Sequence, residues 1–234
     1  MGGNIEFCAF DSRAAASAAA AGLLAGRVRQ ALDSTPRAEA TLVVSGGSTP
    51  GPCFEHLSHE ALDWSRVTVI PSDERWVAAT DPASNEALIR SSLLKDRAEA
   101  GKLLPFFRPD IDARQAPRVI GEDLALLKPV FSAVLLGMGE DGHFASLFPD
   151  FEGLQQALDP RSNTVCTLVE TASSPYRRIS LTLAALLNSV HIVLLIFGAA
   201  KRGVLETAMR GGSALPVEAL LRETRVPLTV VWAP

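Results

Sequence analysis

Residues 137–143 read GMGEDGH and set a histidine beside two carboxylates among three glycines. His143 is the residue type whose ordinary titration lies nearest neutral pH, so it can take and return a proton. Asp141 stands two positions before it and can accept a bond from one ring nitrogen, leaving the other as a base. Gly137, Gly139 and Gly142 also match G-x-G-x-x-G. A dinucleotide site needs a helix opening at the third glycine and an acidic residue about 20 positions later. Here Pro149 follows Gly142 by only seven positions, and Glu140 and Asp141 would repel a pyrophosphate. The pattern therefore predicts no nicotinamide or flavin. The glycines instead let the loop fold tightly so that His143 points into a cleft. The plainer alternative is a capped or buried structural histidine.

Three more stretches carry chemistry-bearing residues. SGGSTP (45–50) has Gly46 and Gly47 for a tight turn, then Ser48 and Thr49. Thr49 is expected to cap a helix that starts at Pro50, so free backbone N–H groups and the positive helix end face an anion such as phosphate. The lysine of a nucleoside-triphosphate loop is missing. PSDERW (71–76) groups Asp73, Glu74 and Arg75, which read equally well as surface charge. GAAKRG (198–203) puts Lys201 near a helix start, where a cation opposes the helix dipole unless an anion binds. Cys53, His56 and His59 have metal-like spacing, but only three ligands are visible and helix amphipathicity explains them, so no metal is expected. His59-Glu60 is not H-E-x-x-H, because Asp63 holds the last position, and no serine lies in G-x-S-x-G.

These stretches follow apolar, β-branched runs. Strands are expected at 5–9, 41–44, 67–70, 132–136, 164–169, 191–197 and 228–232. Helices are expected at 12–32, 50–60, 84–97, 117–128, 181–188, 200–210 and 216–222, and a loop at 107–117. Several strand runs are apolar throughout, which suits strands buried on both faces. The alternation predicts an α/β, Rossmann-like layered fold with a mainly parallel sheet flanked by helices, formed by residues 1–234 as one domain. In such sheets ligands bind outside the carboxyl ends of the strands, so the four loops would share one edge.

With 47% hydrophobic and 21% charged residues, the composition is that of an ordinary globular chain. A net charge of −4 disfavours nucleic acid, since the basic pairs Arg177–Arg178 and Lys201–Arg202 suit a small anion at most. Cys8, Cys53 and Cys166 are odd in number and widely spaced, as expected of reduced thiols in the cytoplasm. The run AAASAAAAGLLA (14–25) follows Glu6 and Asp11, so it reads as a helix capped by Asp11 or Ser12, not as a signal peptide. It is too short and too rich in alanine to cross a membrane. MGGNIE has Glu6 where a myristoylation signal wants Ser or Thr. No membrane association is expected.

SGGSTP, DERWV (73–77), SNEALIRSSLL (84–94), GMGEDGHFASLFP (137–149), RISLTLAALLN (178–188) and GAAKR (198–202) occur in this order. Together they resemble the 6-phosphogluconolactonase branch of the superfamily that includes glucosamine-6-phosphate isomerase/deaminase. The deaminase branch typically reads D-E-Y at Asp73–Arg75, and its catalytic glutamate would fall at Phe148. A phenylalanine cannot relay a proton, which favours the lactonase branch. Phe144, Glu86 and Ala184 depart from the residues frequent in lactonases.

The resemblance implies hydrolysis of a phosphorylated sugar lactone in the oxidative pentose phosphate pathway, with no cofactor and no metal. It implies His143 as the base toward water, oriented by Asp141, and Arg75 as a cation for the oxyanion or the phosphate. Asp73 and Glu74 would orient Arg75. Gly46, Gly47, Ser48, Thr49, Arg178 and Lys201 would hold the phosphate. A cytoplasmic monomer or homodimer is expected. The alternatives are a deaminase-type enzyme using Asp73 as base, or a non-catalytic sugar-phosphate sensor.

Overall fold

In the computed structural model, which describes residues 4–127, 130–223 and 225–234, seven strands pair in parallel. β1 (Ile5–Ala9), β2 (Ala40–Val44), β3 (Val67–Pro71), β5 (Lys102–Leu103), β6 (Ala133–Leu136), β9 (Ile192–Phe197) and β10 (Leu228–Ala233) run in the order β1-β10-β9-β6-β2-β3-β5. Every residue of β2 and of β6 is buried, because helices cover both faces. Strand period splits their side chains between two cores. Val43, Val134, Leu136 and Leu194 face one core, while Leu42, Val44, Leu135 and Leu195 face the other.

The second core closes against α1 (Arg13–Asp33), whose N-cap Ser12 accepts a bond from Ala15 N. Half of its buried residues are alanine, so the helix lies close to the sheet, with Leu24 fully buried between them. Truncating Leu24 to alanine would cost about 2–5 kcal/mol. The first core closes against α4 (Ala116–Leu126), α7 (Ala199–Arg210), α8 (Pro216–Arg222) and a small antiparallel sheet. That sheet pairs β4 (Asp73–Arg75), β8 (Arg178–Leu181) and β7 (Cys166–Val169) in the order β4-β8-β7.

The differences from the sequence reading are local. Residues 73–75 form a strand rather than a loop, since β8 supplies partners that local sequence does not reveal. The strand expected at 164–169 joins the small sheet as β7. α2 (Gly51–Ser58) is capped by Pro50 with no side-chain bond, so Thr49 is not its cap. α3 (Asn85–Ser92) stops before a separate 3-10 turn at Asp96–Ala98. α5 (Leu154–Ala157) is a single turn in a stretch where no element was expected, and α6 (Leu183–Leu187) is shorter than expected. Met1–Gly3, where a myristoylation signal was weighed, and residue 128, the end of the helix expected at 117–128, lie outside the described residues. Among the described residues, no helix is long and apolar enough to cross a membrane.

The topology fixes where a ligand can sit. From β2 the chain steps to β3 on one side, and from β6 it steps to β9 on the other. The loops after β2 and β6 therefore diverge and leave a crevice at the carboxyl edge of the sheet.

Candidate active site

A cleft of about 210 Å³ occupies that crevice. Its wall includes Gly46, Gly47, Ser48 and Thr49 after β2, Asp73 and Arg75 on β4, His143 after β6, Arg178 on β8 and Lys201 on α7. Every sequence-expected site residue is on the wall except Asp141, which stands behind His143, and Glu74, which faces the start of α3. The volume fits a monosaccharide-sized ligand better than a dinucleotide. Arg75, Arg178 and Lys201 confront one carboxylate, Asp73, so the wall favours an anion.

The loop after β6 is built around the histidine. His143 Nδ1 lies 2.6 Å from Asp141 Oδ1, which also accepts from the His143 backbone N–H at 3.2 Å. The carboxylate holds the proton on Nδ1 and leaves Nε2 as the basic nitrogen. Gly139 N donates to His143 O at 2.9 Å. A Cβ at Gly139 would meet His143 Nδ1 at 2.3 Å and Asp141 Oδ1 at 2.5 Å, so only glycine admits the pair. Gly142 turns with φ of 76° and packs on Leu215.

The entry to α8 braces this turn. Val217 N donates to Gly142 O at 2.9 Å. Glu218 gathers Gly212 N, Ser213 N and Ser213 Oγ, and those bonds, Ser213 first, hold its carboxyl down at about 2.

Asp73 is buried and already bonded. Ser72 Oγ donates to it at 2.9 Å and Ser146 Oγ at 2.5 Å. Arg178 Nη1 stands 3.7 Å away. Burial pushes the Arg178 guanidinium below its ordinary value, and the Asp73 carboxylate opposes that push. Arg75 is held differently from the expectation. Its Nη1 donates to Ala83 O at 2.5 Å, and Glu74 meets only its backbone N–H, at 2.8 Å.

The buried Glu74 carboxylate instead caps α3. It accepts from Asn85 N and Glu86 N, both at 2.7 Å, and from Ser84 Oγ at 3.0 Å. Burial pushes Glu74 up, and these bonds pull it back. The cap ties β4 to α3 and thereby sets Asn85 on the cleft wall.

Asn85 was missed as a site residue, although it lies in the quoted SNEALIRSSLL. Its Nδ2 donates to Asp73 O at 2.8 Å. A Cβ at Gly46 would overlap its Oδ1 at 1.9 Å, so that glycine is what lets the turn after β2 close over it. Ser45, Gly137, Met138, Gly139 and Ala145 complete the wall, all within the SGGSTP and GMGEDGHFASLFP stretches. Phe144, Glu86 and Ala184 do not line the cleft. Phe144 is core, and Glu86 Oε1 accepts from Arg90 Nε at 2.8 Å.

Cys53 and His56 join no group of possible metal ligands among the described residues, while His59 stands with Glu55 and Asp96 on the exposed surface. Burial pushes the Cys53 thiol up to about 12, away from the thiolate a metal needs.

Comparison with known proteins gives consistent matches. The family model described as glucosamine-6-phosphate isomerases/6-phosphogluconolactonase matches residues 11–232. A 6-phosphogluconolactonase of Mesorhizobium japonicum is 36% identical over 233 residues, covering 100% of this chain and 97% of that protein. One from Caulobacter vibrioides is 38% identical over 231 residues, covering 98% and 97%. The crystal structure of a 6-phosphogluconolactonase from Shewanella baltica superimposes with a TM-score of 0.93 at 35% identity, covering 100% of both chains.

Proposed function

The chain belongs to the glucosamine-6-phosphate isomerase/6-phosphogluconolactonase family, and from that premise we propose that it hydrolyses 6-phospho-D-glucono-1,5-lactone to 6-phospho-D-gluconate. That reaction is a step of the oxidative pentose phosphate pathway. The observation that carries the site reading is His143, tied to Asp141 at Nδ1, on the wall of a cation-lined cleft at the sheet's switch point.

The lactone ester is already reactive, so an oriented water, a base and charge stabilisation serve it. His143 takes a proton from water as the water attacks C1. The imidazolium then returns that proton to the departing ring oxygen. Positioned acid–base help of this kind is worth roughly 10²–10⁴-fold. Asp141 orients the ring and stabilises the imidazolium. The Gly46–Thr49 turn and Lys201 hold the phosphate, and that remote binding fixes C1 against the base. Arg75 and Arg178 add positive charge to the same wall, for the phosphate and for the oxyanion that develops at the carbonyl. Asp73, already bonded to Ser72, Ser146 and close to Arg178, serves as the anchor of Arg178.

The Phe148 ring stands against His143 where the deaminase branch would need a carboxylate, which supports the lactonase reading. The substrate is a small molecule. Three free cysteines, two of them buried, fit the reducing cytoplasm, where we place the enzyme.

The test supplies purified protein with lactone generated from glucose 6-phosphate, and with glucosamine 6-phosphate in parallel. Lactone loss well above the spontaneous rate, without ammonia release, is expected. Lactone loss at the spontaneous rate overturns the reading.

A further inference from the structure

His143 is held at one point by Asp141, and both side chains reach solvent. His143 is 27% exposed and Asp141 43%. A single hydrogen bond at Nδ1 fixes that atom but leaves the imidazole plane free to swing. A base must keep its nitrogen aimed within about 10–20° to be effective. Something else has to set the plane.

Phe148 does so. Its ring centroid lies 4.3 Å from that of His143, with the planes tilted by 37°. Phe148 is only 7% exposed, and its own place is well anchored. Leu147 before it is fully buried, and Phe148 N donates to Ser146 O at 3.1 Å. Ser146 is in turn bonded to Asp73. The same aromatic ring carries the Arg178 guanidinium, with Cζ 5.1 Å from the centroid.

We propose that Phe148 is a positioning residue for His143: its ring sets the imidazole plane toward the cleft and faces the positive charge that forms when His143 takes the proton from water. The proposal rests on the reading of His143 as the base. Aromatic faces attract cations, so the ring favours the imidazolium of the transition state over the neutral ground state.

Arg178 is not lost with the ring. Its Nε donates to Ser174 Oγ at 3.1 Å, its Nη1 donates to Ser146 Oγ at 3.4 Å, and Asp73 lies 3.7 Å away. Removing the ring should therefore spare substrate binding while loosening the base.

The experiment compares Phe148→Leu and Phe148→Tyr in the full chain. Phe148→Met stands in if the leucine variant does not fold, as judged by circular dichroism. Expected for Phe148→Leu is a fall in kcat of about three- to tenfold with KM nearly unchanged, and restoration by tyrosine. In NMR spectra taken without substrate, the His143 ring protons are expected to carry an aromatic ring-current shift. They are assigned by their loss in His143→Ala. The shift should persist in Phe148→Tyr and vanish in Phe148→Leu. Full kcat in Phe148→Leu, a rise in KM that matches the fall in kcat, or failure of tyrosine to restore the rate overturns the proposal. A wild-type protein that leaves lactone at its spontaneous rate fails the functional reading itself, whereas the NMR shift reports the ring contact independently of turnover.

Discussion

Replacing Asp141 with asparagine removes one negative charge and leaves the loop otherwise intact. The amide oxygen of the new side chain would still accept the His143 backbone N–H that Asp141 Oδ1 accepts at 3.2 Å. What changes is the 2.6 Å contact to Nδ1. A hydrogen bond to a charged group contributes about 1.5–3 kcal/mol. Asp141 is 43% exposed, so solvent screening reduces that to about 1–2 kcal/mol. The bond strengthens when His143 becomes an imidazolium, so the loss falls on the transition state. It converts to a fall in kcat of about five- to thirtyfold with KM little changed. The assay is initial-rate lactone hydrolysis, corrected for the spontaneous reaction, across a range of lactone concentrations. Unchanged kcat in Asp141→Asn would refute the orienting role, and a change confined to KM would place Asp141 in binding instead.

The remaining predictions address the loops around this pair. Lys201→Ala should raise KM about tenfold or more and lower kcat far less, because a phosphate contact far from C1 is kept throughout the reaction; steady-state kinetics check the split. Gly139→Ala puts a methyl 2.3 Å from His143 Nδ1, so kcat should fall on the order of a hundredfold with little change in melting temperature. Glu218 has its folded carboxyl at about 2, below the ordinary 4.5, so the unfolded chain binds more protons between those values. Its contribution to stability is present above about pH 4.5 and is lost as pH falls toward 2. Glu218→Gln should therefore lower the melting temperature at neutral pH and flatten its decline on acidification, measured from pH 7 down to pH 3.

Local pattern revealed what local pattern encodes. β2, β6 and β9 are buried on both faces, so their apolar runs stood out, and the loops after them could be placed on one edge. Asp141 and His143 are two residues apart, so their pairing was legible as spacing. β4 was hidden because D-E-R has no apolar signal and becomes a strand only through β8, far along the chain. The same distance hid the work of the acidic pair. Asp73 finds Ser146 and Arg178 across the fold, and Glu74 finds the start of α3. Both were expected to orient Arg75, which the Ala83 carbonyl holds instead. Phe148 could be read as unable to relay a proton, but its stacking on His143 needs the turn at 144–148 in three dimensions.

The most direct test of the account is the rate of lactone hydrolysis by the wild-type protein and by His143→Ala, each above the spontaneous rate in the same assay. The account predicts strong acceleration by the wild type and a loss of roughly 10²–10⁴-fold in the variant. A folded His143→Ala protein that hydrolyses the lactone as fast as the wild type would contradict it.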